Sequence, residues 1–272
     1  MGGASAHGSV HAPDGARIAT FVAGNGPPLV LVHGAASDHT TFRVVEPILA
    51  ARFAVHAMDR RGRGASSDGP RYSIEREFED LAAVVDAVAA ETGQSVDVVG
   101  HSFGGRVGLG AAIRTPNLRR LVVYEGAPAP ATTPYQAPDL LVRLQSLADA
   151  GRNEELLATF LAEVIGMTDA DLVAYRANPV WPARVAAAPT IVREIEAEGS
   201  PEAGLDALGR AGVPVLQILG GASRPAFHAA TEALDTRLAN GRIVVIEGAR
   251  HGAHHTHPDR FVAEVEGFLT AP

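Results

Sequence analysis

The sequence predicts an α/β fold built on a mostly parallel sheet, and three observations carry that prediction. Short apolar runs alternate with longer stretches of helical periodicity, the pattern of strands joined by crossover helices. The runs are rich in Val and Leu without polar alternation, which fits strands buried on both faces. One predicted strand also passes into a predicted helix through Gly100-His101-Ser102-Phe103-Gly104, a G-x-S-x-G turn in the strand–turn–helix context that such a motif requires.

In chain order, Arg17 to Ala23 reads as an early edge strand, Pro28 to Val32 as a buried one and Phe53 to Met58 as the next. Further strands are expected at Ser95 to Val99, Arg120 to Tyr124, Val213 to Leu219 and Arg242 to Ile246. Helices are expected at Ile74 to Glu91, Phe227 to Ala239 and Pro258 to Leu269, where apolar residues recur at helical spacing. The alternation breaks once. From Pro128 to about Gly204 no strand is convincing, and Leu140 to Ala150, Asn153 to Ile165, Asp169 to Arg176 and Arg184 to Glu198 read as short helices. The proline-rich opening of this insertion, APAPATTPYQAP, suggests an extended, hinge-like connection.

Composition narrows the function classes. A chain of 272 residues with 46% hydrophobic and 20% charged residues can bury a sizeable core. Its formal charge of -8 and scattered basic residues give no electrostatic footprint for nucleic acid or an anionic membrane, so a small-molecule partner is expected. With no cysteine there is no disulfide, thiolate metal site or cysteine nucleophile. Met1 to Ser9 is small and polar, without a signal-peptide pattern, and no stretch reaches the ~20 apolar residues that span a bilayer. The expectation is a cytoplasmic monomer or homodimer.

The G-x-S-x-G turn nominates Ser102 as a nucleophile. A serine hydroxyl attacks poorly at neutral pH unless it stands clear of the sheet where a histidine can take its proton. The following helix aims backbone N–H groups at the place where an acyl intermediate develops negative charge. His101 reads as a spectator that fills the turn.

At this point the chain resembles the α/β-hydrolase superfamily over nearly its whole length. LVHGAASDHTTF resembles the family's oxyanion loop, with the His33-Gly34 pair following the third strand. The resemblance implies that the backbone N–H groups of Ala35 and Phe103 form the oxyanion hole, and that His33 holds the loop in shape. DRRGRGASSD, residues 59–68, resembles the family's turn after the fourth strand; its arginines suggest either an anion site or a hydrogen-bonded glycine-rich turn, the simpler reading. IVVIEGARHGAHHTHPDRF is similar to the family's last strand and histidine loop, and implies His251 as general base. The nearby His254, His255 and His257 invite a metal reading, but HGAHHTH lacks HExxH and a suitably spaced carboxylate, so no metal or cofactor is expected.

One feature departs from the family pattern. A carboxylate is needed to orient His251, and its usual place is just after the seventh strand, yet Leu219-Gly220-Gly221-Ala222-Ser223-Arg224-Pro225 contains none. Some family members carry it after the sixth strand, where this chain has Glu125 at the same sheet edge as the nucleophile turn. Two readings stay open: a Ser102–His251–Glu125 triad, or a Ser-His dyad with Glu125 paired to an arginine of the 59–64 turn or the insertion. Asp235 falls within a predicted helix and is a poorer candidate.

The resemblance thus implies an α/β-hydrolase fold: an eight-stranded, mostly parallel sheet with helices on both faces and a small helical cap inserted after strand 6. The expected organisation is a core of residues 1–127 and 205–272 with the cap at 128–204. Trp181, Phe160 and Tyr175 are expected to line the substrate pocket; Trp181 is chosen because Asn178-Pro179-Val180-Trp181-Pro182 reads as a turn. The expected activity is hydrolysis of a carboxylic ester with a small to medium, mainly apolar substrate. Thioester or lactone hydrolysis would use the same residues. A ligand-binding or sensor protein that kept the scaffold is the alternative from another class.

Overall fold

The computed structural model describes residues 6–69 and 71–271. Residues 1–5, part of the stretch read as lacking a leader, lie outside the described residues, as does residue 272.

Eight strands form one sheet in the order β1-β2-β4-β3-β5-β6-β7-β8. They are β1 (Ala6–His11), β2 (Arg17–Ala23), β3 (Pro28–Val32), β4 (Ala54–Met58), β5 (Val96–His101), β6 (Leu118–Tyr124), β7 (Val215–Gly220) and β8 (Gly241–Ile246). β1 pairs with β2, and β2 with β4, in antiparallel fashion; every other neighbouring pair is parallel. All seven predicted strands are present within a residue or two. β1 is additional, a polar edge strand whose six residues include one branched apolar side chain, Val10.

The helices are α1 (Glu46–Leu49), α2 (Ile74–Thr92), α3 (Phe103–Ala112), α4 (Leu140–Asp149), α5 (Asn153–Phe160), α6 (Asp169–Arg176), α7 (Trp181–Ala187), α8 (Thr190–Ala197), α9 (Leu205–Leu208), α10 (Pro225–Asp235), α11 (Ala253–Thr256) and α12 (Pro258–Leu269). α5 runs on into a π-helical turn over Leu161–Ile165. The expected helix Arg184 to Glu198 is two helices instead, α7 and α8, parted around Ala188 and Pro189. A proline removes a helical N–H donor and clashes with the preceding turn, so the chain restarts there.

Two cores lie on opposite faces of the sheet, and β3 shows how they are divided. Val30 and Val32 join the core under α2, α3 and α10, whereas Leu29 and Leu31 join the one under α1 and α12. Successive side chains of a strand point to opposite faces, so a fully buried strand must be apolar at every position. The helices between β6 and β7 pack on the first of these cores, through Leu140, Leu144, Leu156 and Ile191. The C-terminal ends of β3, β5, β6 and β7 therefore meet the helical insertion along one sheet edge.

Candidate active site

Ser102 sits on the bend between β5 and α3 with φ 55° and ψ -126°. The turn is tight because backbones touch: a Cβ on Gly100 would meet the Gly104 carbonyl oxygen at 2.4 Å, and one on Gly104 would meet that of Val32 at 2.3 Å. Among the described residues only Ala36, Ser102 and Glu125 hold positive φ without being glycine, and all three are at this edge. Left-handed backbone is costly for a residue with a Cβ, and its concentration here shows that the surrounding contacts impose it.

The parallel ladder sets Ser102 beside Glu125. His101 is in register with Tyr124, and the Ser102 N–H donates to the Tyr124 carbonyl at 2.8 Å. Glu125 is 3% exposed, with every contact of its carboxylate directed. Oε2 accepts from His251 Nδ1 at 2.6 Å, and Oε1 accepts from the Gly220 N–H at 2.7 Å and the Ser223 hydroxyl at 2.6 Å. His251 Nδ1 therefore carries the proton, which leaves Nε2 as the basic nitrogen. The stretch after β7 that lacks an acid supplies the donors that hold the acid of β6. Sequence reasoning missed Gly220 and Ser223; a hydroxyl in the short stretch after β7 was the one available signal.

The His251 loop is fixed from below. The Tyr124 hydroxyl donates to the Arg250 carbonyl and accepts from the Ala253 N–H at 2.8 Å, while the Phe227 ring centroid lies 4.6 Å from that of His251. His101 Nε2 donates to the His251 carbonyl at 2.9 Å, so His101 supports the loop instead of merely filling the turn. His254 is buried among the rings of Phe42, His101, His255 and Phe261. Burial, reinforced by neighbouring positive groups, holds the His101 and His254 pKa values well below that of free histidine, and brings His255 down to about 4. His257 lies apart, its Nδ1 against the Thr256 hydroxyl.

Ala35 and Phe103 flank Ser102 from two elements, the loop after β3 and the first residue of α3. Among the described residues neither backbone N–H donates to a protein acceptor, and both residues line a cavity with Ser102. The arginines of the 59–64 turn do not reach Glu125. Arg60 pairs with Glu77 and Glu194, Arg61 with Asp80 and Asp14, and Arg63 with Glu194, all with buried guanidiniums. Glycine turn chemistry alone does not account for these arginines; they are the cations of an interior ion network.

Two cavities meet at Ser102. The larger, about 420 Å³, is lined by Ser102 and His251 from the sheet edge and by Leu157, Phe160, Ile165 and Tyr175 from the insertion. The smaller, about 40 Å³, is lined by Ala35, Ser102, Phe103, Phe160, Ile165 and Phe227 among others. Trp181 lines neither, which corrects the expectation for that residue. It opens α7, with Pro182 in the first turn, and its ring meets Tyr175 edge-on at 5.5 Å, one layer behind the cavity wall. Proline is well tolerated in a first helical turn, so NPVWP begins a helix.

With that geometry in place, the likeness to known proteins is informative. Residues 29–264 match the model of the alpha/beta hydrolase family. The chain belongs to this family. It is 30% identical over 251 residues to a pimeloyl-[acyl-carrier protein] methyl ester esterase of Neisseria meningitidis, covering 89% of this chain and 78% of that protein. The enzyme of the same name from Aeromonas hydrophila is 28% identical, over 90% of this chain and 96% of that one. Among solved structures, an alpha/beta hydrolase from Sphaerobacter thermophilus superposes with a TM-score of 0.79 at 32% identity, over 94% of this chain and all of that one. An enol-lactonase from Burkholderia xenovorans, TM-score 0.76 over 97% of this chain and 100% of that one at 21% identity, shares the fold.

Proposed function

We propose that this chain is a serine esterase that cleaves a small-molecule carboxylic ester through an acyl intermediate on Ser102. The observation that carries the reading is the 2.6 Å contact between His251 Nδ1 and Glu125 Oε2, beside a strained serine that shares a cavity with His251. His251 Nε2 takes the Ser102 proton as Oγ attacks the ester carbonyl, and Glu125 stabilises the imidazolium. The N–H groups of Ala35 and Phe103 receive the developing oxyanion. Collapse of the tetrahedral intermediate breaks the C–O bond, and His251 returns the proton to the departing alkoxide. Water, deprotonated by the same nitrogen, then attacks the acyl-serine and releases the acid.

The unequal cavities support a narrower reading of the substrate. The smaller one holds no more than a short group, and the larger one, walled by the insertion acting as a cap over residues 128–204, takes a longer and mainly apolar half. An ester of a short alcohol with a longer acyl chain fits this division, in keeping with the methyl esters named for the Neisseria and Aeromonas relatives. No helix among the described residues is long and apolar enough to cross a membrane, and the proposed setting is the cytoplasm.

The test is a panel of methyl esters of graded acyl length beside acetates of graded alcohols, with thioester and lactone counterparts. Faster turnover of the methyl series, abolished by Ser102→Ala, supports the assignment. No turnover of any substrate by folded protein contradicts it and favours a ligand-binding role.

A further inference from the structure

We infer that Glu194, on insertion helix α8, is a positioning residue for the oxyanion site: through Arg60 it fixes the Gly34–Ala35 peptide so that the Ala35 N–H faces the Ser102 cavity. This role presupposes the esterase reading above and adds to it a link between the insertion and the catalytic edge.

The chain of contacts begins at Arg60, which is fully buried. Its Nε and Nη2 donate to the two oxygens of Glu77 at 3.0 and 2.7 Å, and Nη2 also donates to Glu194 Oε1. Its Nη1 donates to the Gly34 carbonyl at 3.0 Å and more distantly to that of His33 at 3.4 Å. Every N–H of the guanidinium is thereby engaged, and a planar fork held at so many points has one orientation. Glu194 Oε1 accepts a further bond from Arg63 Nη2 at 2.6 Å. Two buried arginines face two buried carboxylates, so the charges balance only with Glu194 present.

The Gly34 carbonyl receives a second donor. The Arg60 backbone N–H donates to His33 Nε2 at 3.0 Å, which places the ring proton on Nδ1, and Nδ1 lies 2.9 Å from the Gly34 oxygen. In a trans peptide the C=O and the following N–H point in opposite directions. Two donors pulling the Gly34 oxygen toward Arg60 and His33 turn the Ala35 N–H the other way, into the cavity that Ala35 and Ser102 both line. Arg60 also lies over the ring of Phe103, 4.4 Å from its centroid, and Phe103 carries the other oxyanion donor. One side chain thus braces both halves of the hole. Glu194, 134 residues away in sequence, is the part of that brace supplied by the insertion.

The role distinguishes transition-state from ground-state binding, because the oxyanion exists only after attack. Glu194→Gln retains size but leaves Arg60 and Arg63 short of one negative charge. The expected result on a methyl ester is a kcat at least tenfold lower with KM changed less than twofold. Affinity for a trifluoromethyl ketone, whose adduct with Ser102 bears the oxyanion, should fall in parallel with kcat. Arg60→Lys keeps the buried charge count but cannot hold Glu77, Glu194 and the Gly34 carbonyl at once, and should give the same signature.

Unchanged kcat in folded Glu194→Gln, or a lower kcat with undiminished ketone affinity, would overturn the inference. If neither variant folds, the network is purely structural and the inference also fails. An inactive wild-type chain would instead defeat the esterase reading itself.

Discussion

β6 and β7 are neighbours that end at the same sheet edge, yet they contribute opposite chemistry. β6 leads into Glu125, an acceptor in left-handed backbone; β7 ends at Gly220, whose N–H donates to that acceptor with the Ser223 hydroxyl beside it. The difference teaches that a carboxylate for His251 need not come from one particular strand. The site requires one acceptor aimed at Nδ1 and donors that hold it, and adjacent parallel strands can exchange these parts.

The largest effect is expected from removing the acceptor. Glu125→Gln keeps an oxygen for Gly220 and Ser223 but loses the charge that stabilises the imidazolium, and kcat should fall by about 10⁴-fold. Circular dichroism should show a folded protein, and a loss under about tenfold would take Glu125 out of the catalytic group. Moving the acid tests the exchange directly. Glu125→Gly with Ser223→Asp should recover at least about tenfold over Glu125→Gly alone, since one hydrogen bond to a charged partner contributes about 1.5–3 kcal/mol. No recovery would mean that the β7 end of this chain can only donate.

A smaller effect is expected from Ser223→Ala. Gly220 still holds the same oxygen, so the loss in kcat should be about tenfold, the lower end of what one hydrogen bond to a charged group, about 1.5–3 kcal/mol, corresponds to. A loss of about a thousandfold would place Ser223 among the groups that determine the proton position on His251.

The smallest effect concerns stability. His33 and His254 are buried and His101 is half-buried, and desolvation lowers the pKa values of all three in the folded state. Below the unfolded histidine pKa of about 6.5 the unfolded chain binds more protons, so stability is fully present above that pH and declines as pH falls. His254→Phe, which preserves the ring contacts, should flatten the acid-side decline of Tm by removing one such site, at most about 1.4 kcal/mol per pH unit. An unchanged slope would show that His254 is not a neutral buried group.

How much of this the sequence could show follows from how local each signal is. Ser102 and His251 were legible because motif and neighbouring elements lie in one short stretch. Glu125 was legible only by asking which carboxylate stands at a strand end on the correct edge. β1 escaped notice because an antiparallel edge strand needs no apolar run. Trp181 differs from the expectation because Asn178 to Pro182 reads as a turn, whereas Trp181 and Pro182 open α7, and a proline at a helix start favours the helix. The Arg60–Glu194 contact joins residues 134 apart, and without an alignment nothing in either neighbourhood announces it.

The most direct test of the central claim is mass spectrometry of the protein after exposure to a fluorophosphonate. The account expects one adduct, on the peptide containing Ser102, absent from Ser102→Ala and formed far more slowly by His251→Ala. No adduct on correctly folded protein, or an adduct that persists in Ser102→Ala, would contradict it.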